Sequence, residues 1–171
     1  MTATTIRQLT EDDAVAYLAL RLNLLHVSPD AYGTTHAEMI ARPASQTAER
    51  LRAQQDPEVG FTIGAFAGEL VGMVTILREK GTKRRHRGAV VGMGVAEAAR
   101  GQGVGRSLLT AAIESARLLD GLEQLILTVA LPNEPALRLY RALGFVTYSV
   151  DRRSLKLNER HWDEELMVLA L

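Results

Sequence analysis

Arg100-Gly101-Gln102-Gly103-Val104-Gly105-Arg106 is the stretch of this sequence whose residue types most plainly allow chemistry. Alternate positions from Gly101 lack a side chain, so the backbone can take unusual angles and a ligand can approach it closely. An amphipathic segment follows at once. A glycine loop running into a helix offers bare N–H groups and the positive end of a helix dipole to an anion. A phosphate-bearing ligand at Gly101–Arg106 is the expectation. A second pair, Asn133 and Tyr140, lies seven residues apart, two helical turns, and so shares one face. By composition alone Asn133 is a helix cap and Tyr140 a core aromatic.

These residues need elements to place them. Ala89–Val95, a β-branched run, is a strand leading into the loop through a turn at Glu97–Arg100. Gly92 and Gly94 inside it signal a bulge or a ligand against the backbone. A helix follows from about Gly103 to Leu119, its apolar stripe being Val104, Leu108, Leu109, Ala112, Ile113 and Ala116. Leu125–Val129 is a continuous apolar run, as in a strand covered on both faces. The next helix starts at Asn133, with Pro135 in its first turn and Gly144 just past its end.

Before the loop, Thr4–Leu9 is a strand, and Thr10 or Asp12 caps a helix through about His26 with Val15, Leu18, Leu22 and Leu25 as its stripe. Ala31–Pro43 is irregular or briefly helical, and Ser45 caps a helix to Gln55. Phe61–Ala67 and Leu70–Arg78, separated by Gly68-Glu69, form a hairpin. At the other end, strands at Val146–Val150 and Leu166–Leu171 are joined by a charged connection, Asp151–Glu165. The order is βα(α)βββαβαββ: one α/β domain spanning residues 1–171, with a mixed, mostly antiparallel sheet of about seven strands. Strands 89–95 and 125–129 flank a helix and should be parallel neighbours.

Three phosphate-binding patterns compete for the loop. A P-loop, G-x-x-x-x-G-K-[ST], fails because Arg106 stands for the lysine and Arg100 for the upstream glycine. A dinucleotide fingerprint needs G-x-G-x-x-G, whereas Gly101, Gly103 and Gly105 are spaced G-x-G-x-G after a hairpin. The third pattern is [RQ]-x-x-G-x-[GA], matched by Arg100–Gly105 and flanked by GMGVAEAARGQGVGRSLL and LTVALPNEPALRLYRALGF. With the element order, these two motifs resemble the GNAT superfamily of N-acetyltransferases over nearly the whole chain.

The resemblance implies acetyl-CoA in a splay between strands 89–95 and 125–129. Its pyrophosphate would meet Arg100, Gly101, Gln102, Gly103, Val104, Gly105 and Arg106. Its pantetheine would lie along backbone at Met93 and Val95, one N–H polarising the thioester carbonyl. Asn133 would contact the pantetheine amide and Tyr140 would protonate the departing thiolate. An unperturbed phenol, pKa about 10, can give its proton to a thiolate of pKa about 8.5. An amine must attack directly, because the chain has no cysteine to carry an acyl group. Gly88–Gly92 lacks the glutamate base that this strand often carries in the family. His36, Glu38, His86, His161, Asp163, Glu164 or a water is left for that role. Tyr32–Glu38 resembles an acceptor-side loop of a bacterial subgroup, and Leu155–Met167 resembles the final hairpin of the same subgroup. Trp162, inside the second segment and between charged neighbours, reads as an acceptor wall, a dimer contact or plain packing.

Composition excludes other classes. The 171 residues carry 20 basic and 20 acidic side chains, so no global charge recruits nucleic acid or an anionic membrane. Lys83-Arg84-Arg85-His86-Arg87 has no interleaved aromatics and reads as a solvated hairpin tip. The four histidines lack metal-ligand spacing, so no metal is expected. The N-terminus has no signal-like pattern and no run is long enough to span a bilayer, which makes a cytoplasmic protein the expectation. The resemblance implies a small-molecule or peptide amine as acceptor and allows a homodimer. An acyl-CoA sensor without turnover, or an NAD(P)-binding oxidoreductase domain, are the competing functions.

Overall fold

A computed structural model describes residues 4–171. Strands β1 (Thr5–Gln8), β2 (Gly60–Ala67), β3 (Glu69–Arg78), β4 (Arg87–Val95), β5 (Gln124–Ala130), β6 (Val146–Leu157) and β7 (Arg160–Ala170) form one sheet in the order β1-β2-β3-β4-β5-β7-β6. Only β4 and β5 run parallel; the other neighbours are antiparallel. The expected mixed α/β fold, seven strands and one parallel pair, is what the chain adopts.

Helices α1 (Ala14–Val27), α2 (His36–Ile40) and α3 (Ala44–Ala53) precede β2; α4 (Val104–Arg117) links β4 to β5, and α5 (Glu134–Ala142) links β5 to β6. Two apolar cores result. One joins α4 and α5 to Phe61, Ile63, Val74, Ile76 and Leu125. The other joins α1, α2 and α3 to Leu9, Leu70 and Met73. Every residue of the predicted α4 stripe is buried, and each large aliphatic so placed contributes about 1.5–3 kcal/mol. That packing holds the N-terminus of α4, and so the glycine loop, against the sheet.

The parallel pair is short. Only Arg87, Gly88 and Ala89 pair with Gln124, Leu125 and Ile126. Beyond them β4 turns away, because it carries an extra residue: Met73 and Thr75 of β3 pair with Gly94 and Val91. The bulge falls on Gly92, at φ +62°, as its glycine predicts. Gly94 has another reason to be glycine. A Cβ there would come within 2.4 Å of Leu24 Cδ1 and 2.6 Å of the Tyr32 hydroxyl.

Four expectations are corrected. The buried face of α1 is Ala14, Tyr17, Leu20, Arg21, Leu24 and Leu25, whereas Val15 is 78% exposed. The periodicity misled because a polar residue, Arg21, belongs to the buried face. Helix α3 is preceded by Pro43, not capped by Ser45. The first hairpin turns through Gly68 alone, with Ala67 paired to Glu69. The charged connection Asp151–Glu165 is itself strand: it forms most of a long β6–β7 hairpin turning at Asn158-Glu159, and the final hairpin implied by resemblance at Leu155–Met167 lies within it. Two register shifts bend β6, one between Thr147 and Ser149 and a larger one between Asp151 and Leu155. The tip of this hairpin is tied back by Arg160, 2.9 Å from Asp30. Lys83, Arg84 and Arg85 are exposed in a tight turn as expected, with Arg85 bridging to Glu58 at 3.1 Å. No helix among the described residues is long and apolar enough to cross a membrane.

Candidate functional site

Where β4 and β5 part, the sheet opens into a cleft. A cavity of about 610 Å³ fills its α4 side, and Met93, Val95, Arg100, Gly101, Gly103, Val104 and Gly105 line it from one strand and the loop. Asn133 and Tyr140 line it from α5. Gln102 and Arg106 lie on the exposed side of the loop, Gln102 donating to the Ala98 carbonyl at 2.9 Å. Sequence reasoning thus brought nine of its site residues to one cavity.

The loop geometry suits an anion. Gly101 and Gly103 hold φ +74° and +80°, and a Cβ on either would meet nothing within 4 Å. Backbone conformation, not crowding, makes these positions glycine, and the space above them is open. Gly103 is the N-cap of α4, so the first N–H groups of the helix have no intrahelical acceptor and face outward. Arg100 serves the scaffold: its Nε donates to the Val95 carbonyl at 3.0 Å and Nη2 to Ser28 Oγ at 3.3 Å. It fastens the loop to β4 and to the end of α1.

Asn133 is the cap of α5, its Oδ1 accepting from the Ala136 N–H at 3.3 Å. That leaves its side-chain NH₂ for other partners. Tyr140 sits two turns on, buried, with its ring edge-on to Phe145 at 5.8 Å. Burial pushes the phenol up, well above its ordinary value, so it carries its proton throughout the neutral range. The unperturbed phenol expected from sequence is replaced by a weaker acid.

A second cavity, about 290 Å³, lies further along the cleft, where Arg21, Tyr32, Thr34, Gly92 and Glu164 meet Tyr140. Tyr32, Met93, Thr128 and Tyr140 line both cavities, so Tyr140 stands at their junction. The Tyr32 hydroxyl donates to the Met93 carbonyl at 3.2 Å and pins the bulged strand. An arrangement with an anion cradle, a proton-bearing phenol and a carboxylate in sequence along one cleft can position two reactants end to end.

Of the six candidate bases only Glu164 lines either of these two cavities; its Oε2 accepts from Ser154 Oγ. Glu38 is engaged in capping α2, accepting from the Thr35 N–H at 2.7 Å and hydroxyl at 2.8 Å. Asp163 accepts from Arg152 and from the Arg153 N–H at 2.8 Å, contacts that hold it below the usual carboxylate range. His161 lies 3.1 Å from Arg153. His36 packs edge-on against His26, and His86 stands beside Gln124 at the opposite end of the parallel pair. Trp162 is buried under Arg160 and lines neither cavity, which leaves it packing. Arg21 was missed by sequence reasoning, whereas Tyr32 and Thr34 belong to the Tyr32–Glu38 segment that the resemblance put on the acceptor side. The one signal for Arg21 was its spacing from Tyr17 and Leu24, four residues after one and three before the other.

The family model described as "Acetyltransferase (GNAT) family" matches residues 22–145. A mycothiol acetyltransferase of Thermobispora bispora is 37% identical over 105 residues; the match takes in 58% of this chain and 35% of that protein, so the chain spans about a third of that relative's length. An acetyltransferase of GNAT family from Streptococcus pneumoniae superposes with a TM-score of 0.91 at 26% identity, over 99% of this chain and all of that one. The yncA protein of Salmonella typhimurium, solved with its cofactor acetyl-CoA, shares the fold with a TM-score of 0.85 at 20% identity, over 99% of this chain and 94% of that one.

Proposed function

The chain belongs to the acetyltransferase (GNAT) family, and from that premise we propose that it moves an acetyl group from acetyl-CoA to a primary amine, by direct attack in a ternary complex. The observation that carries this reading is the meeting of the two cavities at Tyr140. The larger cavity has the volume, the glycine cradle and the polar amide of Asn133 that a nucleotide thioester needs. The smaller one leaves room for a modest acceptor.

The loop at Gly101–Arg106 holds the pyrophosphate, through N–H groups and the positive end of α4. Asn133 donates to the pantetheine, and backbone at Met93 and Val95 aligns it. The acceptor, neutral at nitrogen, attacks the thioester carbon from the smaller cavity. A C–N bond forms, the C–S bond breaks, and sulfur leaves as a thiolate that takes the Tyr140 proton. The ammonium proton goes to Glu164, directly or through water. Placing the carboxylate on β7 answers the lack of one in Gly88–Gly92.

The test is ligand binding followed by turnover. Acetyl-CoA at about a hundred times its Kd should stabilise the protein by about 2.7 kcal/mol and raise Tm accordingly. NAD and ATP should not. Free-thiol release over a panel of amines should then rise above hydrolysis. A Tm unmoved by acetyl-CoA overturns the reading, and binding without release from any amine leaves a sensor instead.

Glu164→Gln is expected to lower kcat/KM by about 10²–10⁴-fold at neutral pH. Part of the loss should return as pH rises, because the fraction of neutral amine grows without a base. An unaltered pH–rate profile in this variant assigns the base elsewhere.

A further inference from the structure

Arg21 is a charged side chain only 8% exposed, on the inner face of α1. No Asp or Glu among the described residues pairs with it, and its Nη1 is buried without a hydrogen-bond partner. Its surroundings add positive charge instead of cancelling it. Arg50 lies over the Tyr17 ring at 4.5 Å, and its own Nε and Nη2 are buried and unpaired. Desolvation, then Arg50 and Arg42, weaken the hold of Arg21 on its proton, against Tyr17 and Tyr32. A guanidinium stays protonated in spite of this.

Buried charges in proteins are normally paired or hydrogen-bonded, because an unpaired one loses its hydration for nothing. The Tyr32 ring, 4.3 Å below the Arg21 guanidinium, offsets part of that cost through its face. It does nothing for the N–H groups in the guanidinium plane. Those groups form a planar fork suited to two oxygens of one carboxylate. Arg21 lines the 290 Å³ cavity, and Glu164 lines it from β7. One cavity therefore holds a cation that no carboxylate pairs with and, apart from it, a carboxylate able to face an amine.

We propose that the acceptor is a small amine that also bears a free carboxylate, of the amino-acid class, with Arg21 receiving the carboxylate while the amine faces Glu164 and the thioester. This rests on the acetyltransfer reading for the direction of the amine, but the carboxylate site stands on Arg21 alone. It separates free amino acids from peptide N-termini, whose α-carboxyl is an amide, and from polyamines, which carry no anion. The fold places this fork on α1, an element that also shapes the larger cavity through Val27 and the Ser28 that follows it. Carboxylate capture would thus set the acceptor at a fixed distance from the bound cosubstrate.

The experiment compares each of the twenty common amino acids with its primary amide, using the intact protein with acetyl-CoA for thiol release and with CoA for calorimetric binding. The amide has the less basic amine, so intrinsic reactivity favours it; an acid preference must come from the protein. At least one acid should exceed its amide by about two orders of magnitude in kcat/KM and in affinity. Arg21→Gln should remove that preference, and Arg21→Lys should keep part of it, with acetyl-CoA affinity unchanged in both. Equal use of acid and amide by the unaltered protein overturns the proposal, as does an acid preference that survives Arg21→Gln, or no binding of any acid. The comparison in the unaltered protein decides the matter even where a variant fails to fold. Binding of acids through Arg21 without thiol release would defeat the acetyltransfer reading and leave the carboxylate site intact. Thiol release from amides and polyamines alone would do the opposite.

Discussion

Tyr140→Phe should lower kcat by about 10²–10⁴-fold and leave acetyl-CoA affinity nearly unchanged. The substitution removes one oxygen and keeps the ring, so the edge-on contact with Phe145 at 5.8 Å survives and α5 keeps its seat. What disappears is the proton donor at the junction of the two cavities. Burial raises the Tyr140 phenol, which makes it a poorer acid than a free tyrosine. The same dry junction raises the proton affinity of a thiolate forming there, since desolvation disfavours every anion. The two shifts run together, and transfer stays matched. The sign gives a second readout. A group titrating above the working range keeps its proton, so the unaltered enzyme should show no alkaline loss of kcat from Tyr140. Steady-state kinetics with calorimetry checks the claim: an unchanged kcat in Tyr140→Phe ends the thiolate-acid role.

Gly103→Val should weaken acetyl-CoA binding by at least about tenfold, which is about 1.4 kcal/mol. Gly103 holds φ +80°, a region costing an ordinary residue about 1–2 kcal/mol and a β-branched one more. A valine there would either strain the loop or pull it out of shape, and its methyl groups would occupy the space over the cradle. Because no atom lies within 4 Å of the new Cβ, the fold itself should survive. Gly68 supplies the control. It has φ +84° and equally open surroundings, but lies in the β2–β3 turn away from both cavities. Gly68→Val should lower Tm comparably and leave acetyl-CoA affinity alone. Equal affinities for the Gly103 variant and its parent, by calorimetry, would remove the loop from the pyrophosphate site.

The legible parts of the molecule were those where one local rule acts alone. Alternate glycines mark the loop because Gly101 and Gly103 hold a positive φ that other residues rarely take, and the α4 stripe is apolar because it packs on the sheet. Gly92 announced the bulge that opens the cleft. The α1 face was misread for the opposite reason. A hydrophobic pattern counts Arg21 as outward, whereas the fold turns it inward among aromatic rings. The length of β6 and β7 was misread because charged residues populate both faces of a half-exposed ribbon, which no alternation reveals; only the resemblance at Leu155–Met167 marked a hairpin there. Glu164 could not be singled out from its neighbours by sequence. It reaches the cleft because β7 pairs with β5 in a register that sets Glu164 opposite Ala130, one residue past the pair that puts Val129 opposite Glu165.

The bends in β6 have a consequence for how copies of this molecule behave beside one another. A flat twelve-residue strand at the rim of a sheet would expose a row of unpaired amides and carbonyls, a template for any passing strand. Val146, Tyr148, Val150 and Leu157 would make that template sticky, being 38–61% exposed. The jump between Asp151 and Leu155, with Arg153 at φ +56°, breaks the row near its middle and twists its halves apart. Arg152, Arg153 and Lys156 add charge on the same stretch. The irregularity that masked the length of this strand in the sequence also hides its edge from other chains: it guards against aggregation.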